Sequence, residues 1–412
     1  MMHFKKRYII LICIAFISGI GILLSFQEQE TPTFPESNAS AKVLLPSDRI
    51  IAGRPLVLDI ETDAIYPQLL LEGSYGTTIL LVDIESIGTT VIIPESYTKH
   101  AGMLQYTVIE NETILDQGSF YVHPDTSQLA AIENYVGPRS IMANERDYSM
   151  LVSIPTDHLD NMLPDGTTVN INTHFKETTT PLVHELKNNI AWQRIPAPLQ
   201  SGRITIAGTL QDVSSKELVI DVFPDIATDF TITTDRIHPY ADGNEVMTLQ
   251  SSQIKDTHGN VISDGTLVTF YIKDSLGRYW ETTGSTIQGY AFAKALHPQI
   301  PSSWTIKAGI EGIAQSDPVK VTFDSFLKEI PVTSSKNGQE IVVGPITSYL
   351  GQIIQDGIEI QLSTAPIEYV STMLSESGMA YFTIPQETFT NTSGQITIEA
   401  LGISKTITIL PE

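Results

Sequence analysis

From residue 42 onward, apolar and polar residues alternate along the chain with a period of two. Val57-Leu58-Asp59-Ile60-Glu61, Gln105-Tyr106-Thr107-Val108-Ile109, Thr167-Thr168-Val169-Asn170-Ile171 and Lys405-Thr406-Ile407-Thr408-Ile409 are short and rich in β-branched residues. Successive side chains of a strand point to opposite faces, so such stretches read as strands with one buried face. Turn residues bound them or their neighbours: Asn111-Glu112, Asp165-Gly166, Asp264-Gly265 and Asn337-Gly338. No amphipathic run of about a dozen residues appears in this region. Ser127 to Asn134 is expected to hold one short helical turn at most. The pattern predicts an all-β protein of antiparallel sandwiches or barrels.

The alternation is organised into repeats. An acidic-Gly turn opens a strand at Asp165-Gly166-Thr167, Asp264-Gly265-Thr266 and Asp356-Gly357-Ile358, at spacings of 99 residues (165 to 264) and 92 (264 to 356). A small residue and an aromatic follow, with a proline shortly after: Ala191-Trp192 before Pro196, Ala291-Phe292 before Pro298, and Ala380-Tyr381 before Pro385. A third strand then ends in glycine, at Ile204 to Gly208, Thr305 to Gly309, and Ile396 to Ala400 before Gly402. A closing strand completes each unit at Leu218 to Val222, Val319 to Phe323 and Thr406 to Leu410. A period near 100 residues matches one seven-stranded sandwich. The alternating aromatic and aliphatic residues are expected to fill the space between two sheets. Residues 42–124 keep only the second half of the layout, with Val91-Ile92-Ile93-Pro94 and Gly102 but no Asp-Gly turn.

The third unit carries a family resemblance. Ala241-Asp242-Gly243-Asn244 is followed by Asp256-Thr257-His258-Gly259-Asn260, Val268-Thr269-Phe270, Gly289-Tyr290-Ala291 and Val321-Thr322-Phe323. This run resembles the bacterial immunoglobulin-like domains of the invasin and intimin adhesins. The likeness is best over about residues 230–324, weaker over 325–412 and 125–229, and weakest over 42–124. The residues present hold none of the outer-membrane barrel, peptidoglycan-binding segment or terminal lectin-like domain of those adhesins. The resemblance implies the fold and a stalk-like extracytoplasmic role, and it does not carry over a receptor. The expected domains are divergent at 42–124 and immunoglobulin-like at 125–229, 230–324 and 325–412.

The first 26 residues follow a different pattern. Lys5-Lys6-Arg7 precede nineteen uncharged residues, Tyr8 to Phe26. At about 1.5 Å per helical residue this run spans roughly 28 Å, close to the hydrocarbon thickness of a bilayer. Basic residues before it, and Glu28 and Glu30 after it, place the N-terminus inside and the bulk outside. The competing reading is a cleaved signal peptide. Its best cleavage site, Gly19-Ile20-Gly21, is followed by further apolar residues. Lipidation at Cys13 is disfavoured by the large Leu11-Ile12 before it. Residues 27–41 read as a polar linker. The expected architecture is therefore one N-terminal transmembrane helix followed by tandem immunoglobulin-like sandwiches.

Charge and composition narrow the function. The 24 basic and 47 acidic residues give a formal charge of −23, which repels phosphate backbones and argues against nucleic acid as a partner. The single cysteine excludes an intrachain disulfide, so each sandwich must stand on its hydrophobic core. No catalytic constellation is visible. His184-Glu185 begins like a zincin motif, but Asn188 stands where the second histidine is required. There is no G-x-S-x-G elbow and no phosphate loop. No catalytic, cofactor-binding or metal-binding residue is therefore assigned. Calcium at the junctions is the one cofactor considered, through Asp221, Asp225, Asp229 and Asp235, or through Asp317, Asp324 and Glu329. The alternative is that linkers of an acidic protein are simply acidic. Trp192 and Trp304 occupy strand-like positions and are expected to pack in cores, whereas Tyr279-Trp280 is expected in a loop and is the better exposed contact. Sequons occur at Asn38, Asn111 and Asn391. The expected function is a non-enzymatic rod at the cell envelope, a spacer or an interaction scaffold. The alternative is an adhesin or a binding subunit of an envelope, secretion or pilus assembly. The expected partners are the bilayer, through residues 8–26, and an envelope or surface protein or a glycan.

Overall fold

The computed structural model describes residues 38–85, 88–335, 338–389 and 394–409. Within them, regular structure is strand except for a four-residue helix, Glu95–Thr98, and a 3-10 turn, Gln386–Phe389. Among the described residues no helix is long and apolar enough to cross a membrane; the expected anchor at 8–26 lies outside them. The helical turn allowed for residues 127–134 is not formed. Leu129–Gly137 is a strand paired with Tyr148–Asp157, where its backbone groups find a ladder that one isolated turn cannot supply.

Four hydrophobic clusters form the cores, drawing on residues 43–122, 132–222, 230–323 and 327–400. The alternating segments lie as expected. In Leu56–Thr62, Leu56, Leu58 and Ile60 are buried while Val57, Asp59 and Glu61 face water. The second sandwich shows the plan. Leu129–Gly137, Tyr148–Asp157 and Ala191–Pro196 form one sheet. Ser140–Met142, Leu218–Phe223, Gly202–Leu210, Thr168–Phe175 and Thr178–Glu185 form the main path of the other. The chain thus switches sheets early, and Ser140–Met142 runs parallel to the last strand. The same parallel pairing joins Ile50–Ile51 to Thr113–His123 and Tyr240–Ala241 to Val319–Ser325. In the third sandwich, Tyr279–Ile287 pairs with Leu267–Lys273 and, at its end, with Tyr290–Leu296, which links both layers into one nine-stranded sheet.

The Asp-Gly turns have a common physical cause. Gly166, Gly265 and Gly357 have φ of +87°, +85° and +86°, a region that penalises a side chain. The preceding aspartate then ties the turn to a later hairpin. Asp165 Oδ1 accepts from the Asn189 amide at 2.7 Å, Asp264 Oδ1 from Gln288 at 2.6 Å and Asp356 Oδ1 from Ser377 at 2.6 Å. The three donating residues are themselves left-handed, with φ of +64°, +51° and +50°. Dipeptide and hairpin form one unit in each of the last three sandwiches.

The small-aromatic landmark behaves differently from the expectation that its aromatics fill the core. Ala191, Ala291 and Ala380 are buried, while Trp192, Phe292 and Tyr381 are 58%, 51% and 64% exposed. The methyl group takes the inward position, and alternation then turns the next side chain outward. Trp192 therefore does not pack in the core, whereas Trp304 does. Ile92, on the strand Gly88–Ile93, is likewise exposed next to buried Val91.

This assignment of faces is testable. Phe270→Ala is expected to destabilise the third sandwich by about 3–5 kcal/mol, whereas Phe292→Ala is expected to stay within about 0.5 kcal/mol of the parent, as followed by urea unfolding. Equal losses from the two substitutions would reverse the inside–outside assignment.

Candidate functional site

The chemistry of this chain is concentrated where one sandwich meets the next. At the first joint, Asp157 lies buried in the turn Asp157-His158-Leu159-Asp160-Asn161. Its Oδ1 accepts from the amides of Leu159 at 2.8 Å and Asn161 at 2.9 Å. Its Oδ2 accepts from the Asp125 amide at 2.9 Å and from Asn161 Nδ2 at 3.0 Å. The clamped Asn161 side chain reaches the preceding sandwich, donating to the Lys99 carbonyl at 3.0 Å and accepting from the Ala101 amide at 2.7 Å. Its amide thus substitutes for a backbone partner on both groups. Leu159 adds an apolar contact: it packs against the first core, and a Cβ placed on Gly53 would lie 2.6 Å from its Cδ1.

The second joint repeats the device 99 residues later (157 to 256). Asp256 accepts from the amides of His258 and Asn260, both at 2.9 Å, from Asp225 at 2.8 Å and from Asn260 Nδ2 at 2.7 Å. Asn260 in turn donates to the Leu199 carbonyl at 2.9 Å and accepts from the Ser201 amide at 2.8 Å. For Asp256, burial pushes the carboxyl up, but the Asn260 side chain and the Asp225, Asn260 and His258 amides outweigh it and hold it below the ordinary value of 3.8. Asp157 is likewise held low, with burial opposed by the Asn161 side chain and by the Asn161, Asp125 and Leu159 amides.

The third joint is built from other groups. Ser348 and Gln352 hold the places of the aspartate and asparagine, with the Ser348 amide donating to the Gln352 carbonyl at 2.8 Å. Tyr349 between them stacks on Tyr240 at 3.7 Å between ring centroids and meets His238 at 5.1 Å. Ile300 and Pro301 abut Gly402, where an added Cβ would lie 2.9 Å from each.

Beside this stack sit His238, Asp242 and His297, offering one ligand atom each within 4.8 Å of one another. His238 Nε2 is 3.5 Å from Asp242 Oδ2 and His297 Nδ1 is 3.6 Å from Asp242 Oδ1. The carboxylate is oriented by the Asn244 and Glu245 amides, both at 3.1 Å. His297 is buried, and that burial pushes its imidazole down from the usual 6.5. Its Nδ1 lies 3.0 Å from the Tyr240 carbonyl, and its Nε2 is buried without a hydrogen-bond partner. The 59 residues from 238 to 297 are closed by the fold, and the only local signal was the spacing from His238 to Asp242.

The residues singled out from sequence are not brought together. Asp221 pairs with Arg203 at 3.1 Å, Asp225 accepts from Asn144 Nδ2 at 3.1 Å and Asp229 accepts from the Gln315 amide at 2.9 Å. Asp229 and Asp317 line one open cleft with Lys307, whereas Asp235, Asp324 and Glu329 lie on three separate strands. Among the described residues, no three of these carboxylates form a cation cluster. His184 and Glu185 lie on the strand Thr178–Glu185, so they point to opposite faces. Trp280 lies on the strand Tyr279–Ile287 rather than in a loop, edge-on to Trp304 at 4.9 Å. The first sandwich carries a cleft of about 290 Å³ lined by Tyr75, Thr78, Tyr97, His100, Met103 and Leu104, with Tyr75 stacked on His100 at 3.7 Å.

No family model matches this chain, and no curated protein matches it. Solved structures do. The Escherichia coli adhesin FdeC is similar over 71% of this chain and 100% of its own, with a TM-score of 0.50 and 13% identity. Invasin, a bacterial integrin-binding protein, covers 91% of this chain and 79% of its own at a TM-score of 0.45 and 15% identity. Yersinia pseudotuberculosis InvD covers 84% and 99% at a TM-score of 0.41 and 12% identity. The likeness to FdeC establishes the fold, a tandem of immunoglobulin-like sandwiches.

Two predictions follow from the joints. Asn260→Ala leaves the Leu199 carbonyl and Ser201 amide without their partner and is expected to cost about 1–3 kcal/mol, read as faster deuterium exchange at Ser201. The carboxyls of Asp157 and Asp256 are depressed in the folded chain, so their contribution is fully present above the ordinary 3.8 and is lost as the pH falls through the lower folded values. Lowering the pH from about 6 to about 3 is therefore expected to deprotect Ala101 and Ser201 before the sandwich cores exchange, beyond the ordinary pH dependence of the exchange chemistry. Unchanged protection at both amides would separate the joints from these carboxylates.

Proposed function

We propose that this protein is a non-enzymatic, membrane-anchored rod at the cell envelope, with the sandwiches outside and the bilayer entered through residues 8–26. The observation that carries this reading is the repeated aspartate–asparagine clamp at two successive joints. A flexible string of beads has no need of a buried side chain bonded to the backbone of the preceding bead. A spacer does, because orientation is lost at joints first. On strand dimensions of about 3.3 Å per residue, four sandwiches end to end reach on the order of 150 Å. The acidic surface and the uncharged run behind Lys5-Lys6-Arg7 support an extracytoplasmic placement. The fold shared with FdeC supports a surface role without assigning a receptor.

One observation favours a second reading, a binding role. The aromatic cleft of the first sandwich abuts the first joint, since Lys99 and Ala101 also line it, and its stacked Tyr75 and His100 form a planar platform of the kind that sugars and extended peptides use.

Small-angle scattering on residues 38–412 tests the rod, with an expected maximum dimension on the order of 150 Å that falls when Asn161→Ala and Asn260→Ala are combined. A compact particle, or a length indifferent to both substitutions, would remove the spacer reading. Fractionation tests the anchor. The full chain is expected to stay with membranes through an alkaline wash and to expose a C-terminal tag to external protease.

A further inference from the structure

We propose that His238, Asp242 and His297 form a binding site for a divalent transition-metal ion of the zinc class. No sequence motif marks this set; the fold assembles it from a loop and the strand-end that faces it. Two imidazoles with one carboxylate suit zinc and its neighbours, whereas calcium and magnesium require six or more oxygen ligands or several retained waters.

The geometry is close to what such an ion requires. Zinc binds nitrogen and oxygen at about 2.0–2.2 Å, so neighbouring ligand atoms of a tetrahedral site lie roughly 3.3 Å apart. Two contacts here are near that value and too long for hydrogen bonds, His238 Nε2 to Asp242 Oδ2 at 3.5 Å and His297 Nδ1 to Asp242 Oδ1 at 3.6 Å, so each imidazole meets one oxygen of the shared carboxylate. The three side chains therefore converge without satisfying one another. The third edge, at most 4.8 Å, closes by rotation of His238, the ligand furthest from the core.

Support around the ligands is already in place. Asp242 is aimed by two backbone amides, and the Tyr240 carbonyl holds the His297 ring through Nδ1. The His297 nitrogen that faces Asp242 is this same Nδ1, so an ion bound there displaces the Tyr240 carbonyl contact. Nε2, which is buried and has no partner, then carries the ring proton. Loading costs a second contact at His238. The Tyr240 amide donates to His238 Nδ1 at 3.2 Å, and coordination through His238 Nε2 moves the ring proton onto that acceptor. Tyr240 thus touches both histidines and stacks on Tyr349 of the next sandwich, so ion binding is coupled to the third joint.

The test uses the full chain, zinc and cobalt. Equilibrium dialysis is expected to give one zinc per chain, unaffected by excess calcium. Cobalt is expected to produce the visible bands of a tetrahedral nitrogen–oxygen site, and the Tyr240 amide resonance is expected to shift on loading. His238→Asn and Asp242→Asn are expected to weaken zinc by at least about 100-fold and to abolish the cobalt bands. Asp242→Asn keeps the Oδ1 acceptor for the Asn244 and Glu245 amides, so its loss of binding cannot be assigned to a broken turn. Absence of zinc binding at micromolar free metal, or one-to-one binding that persists in both variants, would overturn the site.

Discussion

The structure depends on a buried carboxylate that accepts more hydrogen bonds than its burial costs it. Asp256 gathers four donors from three residues, and Asp157 gathers four from three in the same way. Burying a charge is expensive unless it is fully bonded, and here the bonding serves two ends. It closes a turn, and it holds an asparagine amide in the one orientation that reads as peptide backbone to the sandwich before it. Remove the carboxylate, and the asparagine keeps its chemistry but loses its aim.

Much of the fold was legible in the sequence because its determinants are local. Alternation reports which strand face is buried, and each Asp-Gly turn marks a place that needs a left-handed glycine and a short acceptor. Where two adjacent residues are both apolar, alternation cannot report which of them faces inward. At Ala191-Trp192 size suggested the tryptophan, whereas the narrow space between the sheets takes the alanine. The joint motif was visible in one copy as Asp256 to Asn260 but obscured in the other. There Asp160 holds the place of Gly259 at a φ of +61°, which breaks the pattern in letters while preserving it in geometry.

The site around His297 lay beyond such reading for a different reason. Its members belong to a loop and a strand-end that only the closed sandwich brings together, and neither half is informative alone. The acidic clusters at the joints misled in the opposite direction. Asp225 and Asp229 are near one another in sequence, yet each is already bound to a separate polar group, so proximity along the chain did not become convergence in space.

The parallel pairing of an early strand with the last one has a mechanical consequence. In the second sandwich, Ser140–Met142 lies beside Asp221 to Phe223, and tension applied through the two ends of the sandwich pulls those segments past each other. The bonds between them are then loaded together in shear, instead of being peeled apart one after another. Ile50–Ile51 and Tyr240–Ala241 place the first and third sandwiches in the same loading geometry. A short ladder of two or three residues is thereby placed to set how much force the chain carries before a sandwich gives way.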